Sequence, residues 1–415
     1  MIGPVERGRG MRTVEEHSAA ALGLAEPLGP VTLPIADAGG HVLARDVRAD
    51  GPLPPWDNSA MDGYAVRAAD VTGADDGTPV VLRVVADLPA GSAEAPAVGP
   101  GEAARIMTGA PLPPGADTIV PVEETDGGTA TVAVRATARR GAHIRHVGED
   151  VQAGNVVLAA GALLSERRVG ALAAAGAGVV RVHRRPRVLV LATGSELVPP
   201  GEPRQRGQIS DSNSYLLAAA VAAAGCRPVR LPPVPDDADV LRAVLTEHEP
   251  AVDAVVTAGG VSVGAYDVVK AALSGWADVE FMAVAMQPGK PQGLGRLPGG
   301  TPVFCLPGNP VSVFVSFEVL VRPALLRMRG LTTVERPRIV AVAEDGWRTP
   351  VGRAQYMPVA LAESGGTWSA RRAVAGGAGS HLAAGLAAAD GLAVIPLDVP
   401  EVSPGDMLTV MRCEP

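Results

Sequence analysis

The sequence predicts a multidomain protein that joins an α/β domain with a mostly parallel sheet to separate β-rich domains. Three observations support this fold class. The chain has 415 residues, which is too long for one compact core. Residues 51–148 contain short β-branched runs that are broken by Pro and Gly. Residues 187–330 alternate apolar strands, glycine-rich loops and helices, as a parallel sheet covered by helices requires.

Composition and charge exclude several classes of protein. A hydrophobic fraction of 47% without an apolar run of about 18 residues indicates a globular protein with no membrane partner. The net charge of −8 opposes nucleic-acid binding, which needs a clustered basic face. The first residues lack the apolar segment of a secretory signal, so we expect a cytoplasmic protein. Met11 is an alternative start of the chain.

The three cysteines are widely separated in the sequence. Cys226, Cys305 and Cys413 offer neither a disulfide framework nor the paired spacing of a zinc knuckle. We therefore predict that they are small buried hydrophobic residues.

The first predicted element is a helix in TVEEHSAAALGL, residues 13–24. Thr13 can cap its start, and Gly23 marks its end. The β-rich texture of residues 51–148 follows, and helix signals resume only at Glu166–Ala175. A small β-rich domain therefore precedes the α/β region.

The α/β region contains three near-continuous apolar runs, RVLVLA (187–192), AVDAVVTA (251–258) and PVFCL (302–306). Strands that are buried on both faces of a parallel sheet have this pattern. We expect helices after these strands, at about 212–224, 236–248, 267–275 and 311–329.

After Arg336 the chain returns to short strands and turns. The final segment, GLAVIPLDVPEVSPGDMLTVMRC, predicts two strands joined by a Pro-Gly-Asp turn. We expect a C-terminal β-domain that follows a hinge at residues 327–336.

Three glycine loops follow predicted strands: ATGSEL (192–197), AGGVSVGAYD (258–267) and LPGNPVS (306–312). Ligands of open parallel sheets bind at the carboxyl ends of the strands, so these loops should converge on one site. Exposed amides and helix N-termini attract anions. The loops therefore predict a phosphate-binding edge.

Carboxylates at this edge need another explanation. Asp267 alone could be a plain helix cap. Together with Glu196 and Asp236, which are predicted on neighbouring loops, it indicates a site for a divalent metal, because hard cations prefer carboxylate and phosphate oxygens. The chain lacks a GxxxxGK[ST] motif, and no GxGxxG follows its strands, so a P-loop ATPase and a dinucleotide enzyme are disfavoured.

Lysine is rare in this chain. Lys270 and Lys290 stand among 36 Lys and Arg residues, and both lie in or after glycine-rich loops. A compositional bias toward Arg explains the rarity; alternatively, these positions need a compact ammonium. Lys290 lies in MQPGKPQG, a rigid loop before the last predicted strand, where a fixed ammonium suits a small oxyanion. A surface turn with an exposed lysine is the alternative.

Two polar loops lie outside the α/β region, PPWDNSAMDGYAVR (54–67) and RIMTGAPLPPGAD (105–117). They are too polar and irregular for strands. Loops often carry functional residues, although a lone polar loop is usually only solvated.

With these motifs in order, the chain resembles the molybdopterin molybdenumtransferase family, the bacterial relatives of the gephyrin E-domain. The resemblance extends from about Thr13 to Arg412. It rests on the ordered motifs DNSAMDGYAVR, RIMTGAPLPPGAD, RHVGEDVQAG, TGSEL, DSN, TAGGVSVGAYD, QPGKPQG and LPGNPVS.

The resemblance implies an enzyme that inserts molybdate into adenylated molybdopterin and releases AMP, with Mg²⁺ as cofactor. It also implies an elongated homodimer whose active site is shared between subunits, a central three-layer α/β domain of the molybdopterin-binding fold and a C-terminal β-barrel-like domain. The implied domains are a linker and dimerisation domain (1–50 and 149–184), an inserted small β-rich domain (51–148), the α/β domain (185–330) and the C-terminal β-domain (331–415).

The resemblance also assigns site residues. The implied catalytic residues are Asp267, Glu196, Asp236, Asp62, Thr108 and Asp150, of which Asp267 and Glu196 would hold the metal. The residues expected to bind molybdopterin are Gly194, Ser195, Gly259, Gly260, Ser262, Gly264, Gly308, Asn309 and Ser312. The implied molybdate pocket consists of Lys290, Pro291, Ser262, Ser312, Arg353 and Ser380.

The chain departs from the family where many relatives carry lysines, because it has Ala283 and Gln287 at these positions. Part of the usual positive lining is therefore missing. Two other functions stay open: the preceding molybdopterin adenylyltransferase, whose domain resembles residues 187–330 alone, and a non-catalytic cofactor carrier or scaffold. Contacts with the adenylyltransferase and with molybdoenzymes are expected as partners.

Overall fold

The computed structural model of the protein describes residues 11–261, 267–374, 379 and 381–413. The chain forms two compact units. The first unit contains the N-terminal segment up to Val31, the short segment Gly40–Ala44 and the chain from Val182 onward. The second unit contains Thr32–Gly39 and Arg45–Arg181.

The helices begin and end close to the predicted positions. They are α1 (Val14–Gly23), α2 (Glu166–Ala174), α3 (Asn213–Ala223), α4 (Ala238–His248), α5 (Val268–Leu273), α6 (Pro310–Ser316) and α7 (Arg322–Met328). A π-helical turn, Phe317–Val321, joins α6 to α7. Within the described ranges, none of these helices has the length and apolar composition that a bilayer crossing requires.

The predicted cap of α1 is confirmed. The Glu16 amide donates to Thr13 Oγ1 at 3.1 Å, and the Thr13 amide donates to Glu16 Oε2 at 2.9 Å. This reciprocal pair is a capping box, which satisfies two amides that the first helical turn leaves without partners.

The strands are numbered along the chain. The first twelve are β1 (Met11–Arg12), β2 (Pro30–Pro34), β3 (Val47–Arg48), β4 (Asn58–Ser59), β5 (Gly63–Val66), β6 (Val80–Leu88), β7 (Glu102–Ile106), β8 (Thr118–Pro121), β9 (Thr131–Val134), β10 (Ile144–Arg145), β11 (Val156–Leu158) and β12 (Val179–His183). The α/β region adds β13 (Arg187–Ala192), β14 (Leu197–Val198), β15 (Ile209–Ser210), β16 (Arg227–Arg230), β17 (Ala254–Ala258), β18 (Asp278–Val284), β19 (Met286–Gln287), β20 (Pro291–Arg296) and β21 (Pro302–Leu306). The last are β22 (Arg338–Ala343), β23 (Trp347–Arg348), β24 (Ala354–Ser364), β25 (Thr367–Arg372), β26 (Gly391–Ile395), β27 (Glu401–Val402) and β28 (Met407–Arg412).

The first unit is built on a seven-stranded sheet with the order β1-β18-β20-β21-β17-β13-β16. Its pairs are parallel except those of β20, which runs antiparallel to both neighbours. Side chains of α1, α3, α6 and α7 pack on one face, and side chains of α4 and α5 pack on the other. The predicted three-layer α/β domain is therefore confirmed. Strands β13 and β21 have the predicted bounds, whereas β17 begins only at Ala254.

The sequence analysis missed β18 and β20, and it treated the start of β20 as part of a loop. Strand β20, PQGLGR, contains two glycines and a proline, which normally indicate a turn. A Cβ atom on Gly293 would lie 2.7 Å from Phe281 Cε1 and 2.9 Å from Cys305 Cβ. Glycine is therefore present because neighbouring side chains cover this position of the strand, and not because the chain turns there.

The C-terminal β-domain is a closed five-stranded barrel. Its strands follow the order β24-β25-β22-β28-β26, and β26 pairs back onto β24. Strand β19 extends this sheet by pairing in parallel with the start of β24. The expectation of only two strands in the final segment is wrong, because β27 lies between β26 and β28 and pairs with β23. The Pro-Gly-Asp turn leads from β27 into β28.

The second unit contains the predicted β-rich region. A five-stranded sheet has the order β8-β5-β7-β6-β9. Tyr64, which has no solvent exposure, packs in its core, and its hydroxyl donates to the Gly128 carbonyl at 3.0 Å. The polar segment 54–67 contains β4 and β5, so the expectation that it is too irregular for strands is wrong. The second polar segment, 105–117, leads from the end of β7 to the start of β8.

The cysteines behave largely as predicted. Cys226 and Cys305 are buried, and Cys413 is half-buried. Burial raises the pKa of Cys226 and Cys305 to about 12. Both thiols are therefore protonated and unreactive at neutral pH.

Candidate active site

A cavity of about 720 Å³ lies at the carboxyl ends of β13, β17 and β21 in the first unit. Its walls include residues from all three predicted glycine loops and from the QPGKPQG segment. The lining residues are Glu196, Ile209, Gly260, Val261, Asp267, Met286, Gln287, Pro288, Gly289, Lys290, Pro291, Pro307, Gly308, Asn309, Ser312 and Arg353. The fold thus brings together residues that are far apart in sequence, from Glu196 to Arg353.

Two glycines allow the loop after β17 to pack tightly against its neighbours. Gly259 and Gly260 have positive φ angles of 98° and 66°. A Cβ atom on Gly259 would lie 2.8 Å from the Thr193 carbonyl oxygen, and one on Gly260 would lie 2.9 Å from the Val269 nitrogen. These two of the positions predicted to bind molybdopterin therefore cannot carry side chains without a shift of the backbone.

Asp267 is the most unusual carboxylate of the cavity. It precedes α5 at the cap position, yet its side chain makes no capping hydrogen bond. Its Oδ2 atom is buried and has no hydrogen-bond partner among the residues that the structure describes. A buried polar atom without a partner costs about 1–3 kcal/mol, so a plain helix cap does not explain this residue. The carboxylate is instead available to a ligand.

Glu196 and Asp236 have different positions. Glu196 lines the cavity, whereas Asp236 is not part of the lining. Asp236 Oδ2 accepts a hydrogen bond from the Ser195 amide at 3.0 Å, and the Asp236 amide donates to Ser195 Oγ at 3.1 Å. Asp236 therefore holds the loop that carries Glu196.

The metal site predicted from the sequence stays a prediction. In the described parts of the chain, no group of three or more His, Cys, Asp or Glu side chains is arranged to hold a metal ion. Asp267 and Glu196 line the same cavity. Two carboxylates suit Mg²⁺ only when a substrate and water supply the other oxygen ligands.

Two cationic side chains line the cavity, Lys290 and Arg353. Neither has a hydrogen bond or ion pair with its side chain among the residues that the structure describes. The pairing of β19 with β24 brings them to the same cavity, and the Ala354 amide donates to the Ala285 carbonyl at 2.9 Å. By contrast, Lys270 is exposed on α5 and does not line the cavity.

The LPGNPVS segment forms another part of the cavity wall. Ser312 is 4% exposed in the first turn of α6 and lines the cavity. The Asn213 side-chain amide, from the DSN motif, donates to the Gly308 carbonyl at 2.6 Å. This bond fixes the loop between β21 and α6, on which Asn309 also lies.

The two positions that differ from many relatives have different surroundings. Gln287 lines the cavity next to Pro288. Ala283 lies in β18 opposite Pro291 and is not part of the lining. The cavity therefore has a neutral amide, Gln287, at one of the two positions where the family resemblance implies a lysine.

In the second unit, Asp62 and Thr108 form a pair. Asp62 Oδ1 accepts hydrogen bonds from the Thr108 amide and the Thr108 hydroxyl, each at 2.7 Å. The Thr108 amide, followed by its hydroxyl, lowers the pKa of Asp62 below its usual value. The two polar loops of the sequence therefore meet at this carboxylate, a contact that the sequence did not predict.

Asp150 is exposed in the same unit, and its amide donates to the Leu53 carbonyl at 3.0 Å. The neighbouring RHVGED segment is held by Asp57, whose Oδ1 accepts from the Val147 amide at 2.7 Å. The DNSAMDGYA and RHVGED motifs are therefore adjacent in the fold.

Some predicted site residues cannot be placed, and some cavity residues were not predicted. Ser262, Gly264 and Ser380 lie outside the described residues. Ile209 and Met286 line the cavity, although the sequence analysis did not select them. Ile209 is 55% exposed, and its only sequence signal is an apolar residue in an otherwise polar segment.

Three family models match consecutive parts of the chain. The MoeA N-terminal region (domain I and II) matches residues 12–176. The probable molybdopterin binding domain matches residues 189–327, and the MoeA C-terminal region (domain IV) matches residues 340–412. The cavity residues from Glu196 to Ser312 fall in the second match, and Arg353 falls in the third.

Curated relatives are similar over nearly the whole chain. Molybdopterin molybdenumtransferase 2 of Mycobacterium tuberculosis is 47% identical over 407 residues, covering 96% of this chain and 99% of that protein. Molybdopterin molybdenumtransferase 1 of the same organism is 38% identical, covering 96% and 98%. A solved structure of a molybdopterin biosynthesis MoeA protein from Pyrococcus horikoshii has a TM-score of 0.82 at 31% identity, covering 97% and 99%. The chain belongs to the molybdopterin molybdenumtransferase family.

Proposed function

We propose that the protein inserts molybdate into adenylated molybdopterin and releases AMP, with Mg²⁺ as cofactor. One observation carries this proposal: a single cavity combines an unpaired buried carboxylate, Asp267, with two cations that have no described partner, Lys290 and Arg353. The carboxylate suits the phosphate chemistry, and the cations suit the oxyanion. Family membership supports the same reaction.

Molybdate would bind at the wall formed by Lys290, Pro291, Ser312 and Arg353. A tetrahedral dianion needs positive charge and hydrogen-bond donors, and charge-assisted hydrogen bonds are about twice as strong as neutral ones. Lys290 and Arg353 supply the charge, and the Ser312 hydroxyl supplies a donor. Ser262 and Ser380 belong to the same proposed pocket by resemblance.

Adenylated molybdopterin would place its phosphates against the glycine loops. Gly194, Ser195, Gly259 and Gly260 follow β13 and β17, and Gly308 follows β21. The amides of Gly194, Ser195 and Gly259 already donate within the protein, to the Val234 carbonyl, Asp236 Oδ2 and the Leu306 carbonyl, so these residues would shape the loops. Gly260 and Gly308 line the cavity and would approach the phosphate oxygens. Gly264 and Asn309 complete this proposed set.

The donor set of Asp267 and Glu196 fits a bound Mg²⁺ whose other ligands are phosphate oxygens and water. When bound, Mg²⁺ would neutralise the negative charge that develops on the phosphate oxygens. The chain's own residues do the remaining work. Asp267 accepts a hydrogen bond from the water that attacks the phosphoanhydride, and Asp236 keeps the Glu196 loop in place.

We further propose that the protein is a cytoplasmic homodimer of four-domain subunits with the domain boundaries predicted from the sequence. In this arrangement Asp62, Thr108 and Asp150 of one subunit complete the cavity of its partner. The exposure of these residues on the second unit supports the proposal. The adenylyltransferase that makes the substrate is the expected transient partner.

The first experiment measures AMP release from adenylated molybdopterin by the purified protein with Mg²⁺, with and without molybdate. We expect AMP release that depends on molybdate. Tight binding of the substrate without AMP release would identify a carrier instead. Consumption of ATP together with free molybdopterin would identify an adenylyltransferase.

Mixed dimers test the shared site. Asp62→Ala and Asp267→Ala chains are each inactive alone, and they are refolded together with different affinity tags. If each site takes Asp62 from one subunit and Asp267 from the other, the heterodimer has one intact site and releases AMP. If both residues act within one subunit, the purified heterodimer stays inactive.

A further inference from the structure

Gln292 is a buried glutamine next to the cavity. Its side chain is almost fully enclosed, with 1% of the residue exposed, and it does not line the cavity. Its Nε2 atom donates one hydrogen bond to the Gly289 carbonyl and another to Ser316 Oγ, both at 2.7 Å. The orientation of the amide is fixed, because a carbonyl oxygen can only accept.

The two partners of Gln292 belong to different walls of the cavity. Gly289 precedes Lys290 in the loop between β19 and β20. Ser316 lies one helical turn after Ser312 on the same side of α6. Lys290 and Ser312 both line the cavity. One side-chain amide therefore ties the lysine loop to the helix that carries the serine.

The packing at this point leaves little freedom. Gly289 has a φ angle of 105°, and a Cβ atom there would lie 2.8 Å from Ser316 Oγ. On the other side of the loop, the Val284 amide donates to the Lys290 carbonyl at 2.7 Å. The backbone around Lys290 is thus held from two directions, by β18 and by Gln292.

We infer that Gln292 is a positioning residue that sets the distance between the Lys290 ammonium and Ser312, and so the affinity of the cavity for a tetrahedral oxyanion. The inference rests on the proposed function. Gln292 acts through Lys290 and does not touch the oxyanion. Its effect is large because Lys290 and Arg353 are the two cations in the described lining, and Gln287 cannot replace a displaced ammonium.

A simpler role for Gln292 is structural, since a buried amide with two satisfied hydrogen bonds also stabilises the fold. The two roles differ in what they change. A structural role lowers stability and affects both substrates equally. A positioning role raises the KM for molybdate selectively, because only the oxyanion contacts the lysine loop.

The test uses Gln292→Met, which keeps the length of the side chain and removes both hydrogen bonds. We expect the KM for molybdate to rise about 10-fold, since small displacements of binding groups have effects of this size or larger. The KM for adenylated molybdopterin and the kcat at saturating molybdate should change less than twofold, a difference of about 0.4 kcal/mol that is small compared with a lost hydrogen bond. Ser316→Ala should reproduce part of the effect, and the double variant should match Gln292→Met alone.

Leu245→Val is the control for stability. Leu245 is fully buried in α4, away from the cavity lining, so its truncation lowers the Tm without disturbing Lys290. It should leave the KM for molybdate unchanged. Hydrogen exchange gives a readout that does not need activity: the Val284 amide should exchange faster in Gln292→Met and not in Leu245→Val.

The outcomes separate the two proposals. A wild-type protein without molybdate-dependent AMP release contradicts the proposed function. The inference is contradicted if the wild type is active and Gln292→Met leaves the KM for molybdate unchanged. It is also contradicted if Gln292→Met raises the KM values for both substrates equally, or if Leu245→Val raises the KM for molybdate to the same extent. An unchanged exchange rate at Val284 contradicts it as well.

Discussion

The two units hold the aspartates of the proposed site in different surroundings. In the first unit, Asp267 Oδ2 is buried and has no hydrogen-bond partner in the described parts of the chain. In the second unit, Asp62 is exposed, and both an amide and a hydroxyl of Thr108 donate to its carboxylate. One carboxylate thus has a buried oxygen without a described donor, and the other receives two donors at one oxygen.

Asp267 therefore has an oxygen that can bind a ligand, whereas the hydrogen bonds of Asp62 are already formed within the protein. An unpaired buried oxygen gains most when a metal or a water reaches it, because the cost of burial has been met by the rest of the fold. A satisfied exposed carboxylate gains less from a new partner, and it serves best to hold a loop in one conformation. We therefore expect Asp267 to dominate the chemistry and Asp62 to orient its surroundings.

Asp267→Asn should have the largest effect. The change keeps the shape of the side chain and removes its charge, so AMP release should fall by about 10²–10⁴-fold, as for other residues that manage a proton in the transition state. The Tm should stay the same or rise, because the fold no longer buries an unpaired carboxylate. Steady-state AMP release and calorimetry on the same sample measure the two quantities.

Asp62→Asn is the matched control for that prediction. It should lower AMP release less than Asp267→Asn does, because both Thr108 donors bond to one oxygen of Asp62 and can still bond to the amide oxygen of asparagine. If Asp62→Asn were the more damaging change, with both variants folded, the contrast drawn between the two carboxylates would be wrong.

The two lysines of the first unit allow a similar comparison, between Lys290 in the cavity lining and Lys270 outside it. Lys290→Met should raise the KM for molybdate by about 10- to 100-fold, which corresponds to the loss of one charge-assisted hydrogen bond of about 1.5–3 kcal/mol. Lys270→Met should leave it unchanged, because Lys270 is exposed outside the cavity lining. Equal effects of the two substitutions would show that net charge matters and that position does not.

The smallest effect concerns the pH dependence of the second unit. The folded pKa of Asp62 lies below its usual value of 3.8, so its ionised form stabilises the fold above about that pH. The contribution is lost as pH falls through the lower folded pKa. Thr108→Val removes the hydroxyl donor and should raise the pKa of Asp62 toward 3.8, as followed by NMR titration of the carboxyl carbon.

Thr108→Ser keeps the hydroxyl and is the control for this titration. It should leave the pKa of Asp62 close to that of the wild-type protein. A pKa that stays low in Thr108→Val would mean that the amide alone accounts for the shift.

The strands of the central sheet show where sequence patterns succeed. RVLVLA and PVFCL were predicted to the residue because both faces of these strands are buried, which requires a continuous apolar run. Strand β20 was missed because its glycines follow from tertiary packing: Phe281 and Cys305 occupy the space above Gly293. A local pattern does not contain that information.

The candidate site shows the same limit. Position at the carboxyl ends of strands was enough to select Glu196 and Asp267, which both line the cavity. No local pattern connects Lys290 with Arg353, because a pairing between β19 and β24 brings them together. Arg353 was selected by family resemblance alone, and Gln292 was not selected, since a glutamine between Pro and Gly resembles any polar turn residue.

The pairing of β19 with β24 also sets the order in which the protein becomes competent during synthesis. Ribosomes release the N-terminal part of a chain first. Glu196, Asp267, Lys290 and Ser312 emerge before the strands of the barrel. Strand β24 is held in the barrel by β26, and β26 in turn pairs with β28, which ends at Arg412. The barrel whose strand β24 follows Arg353 can therefore close only after the last strand of the chain has left the ribosome.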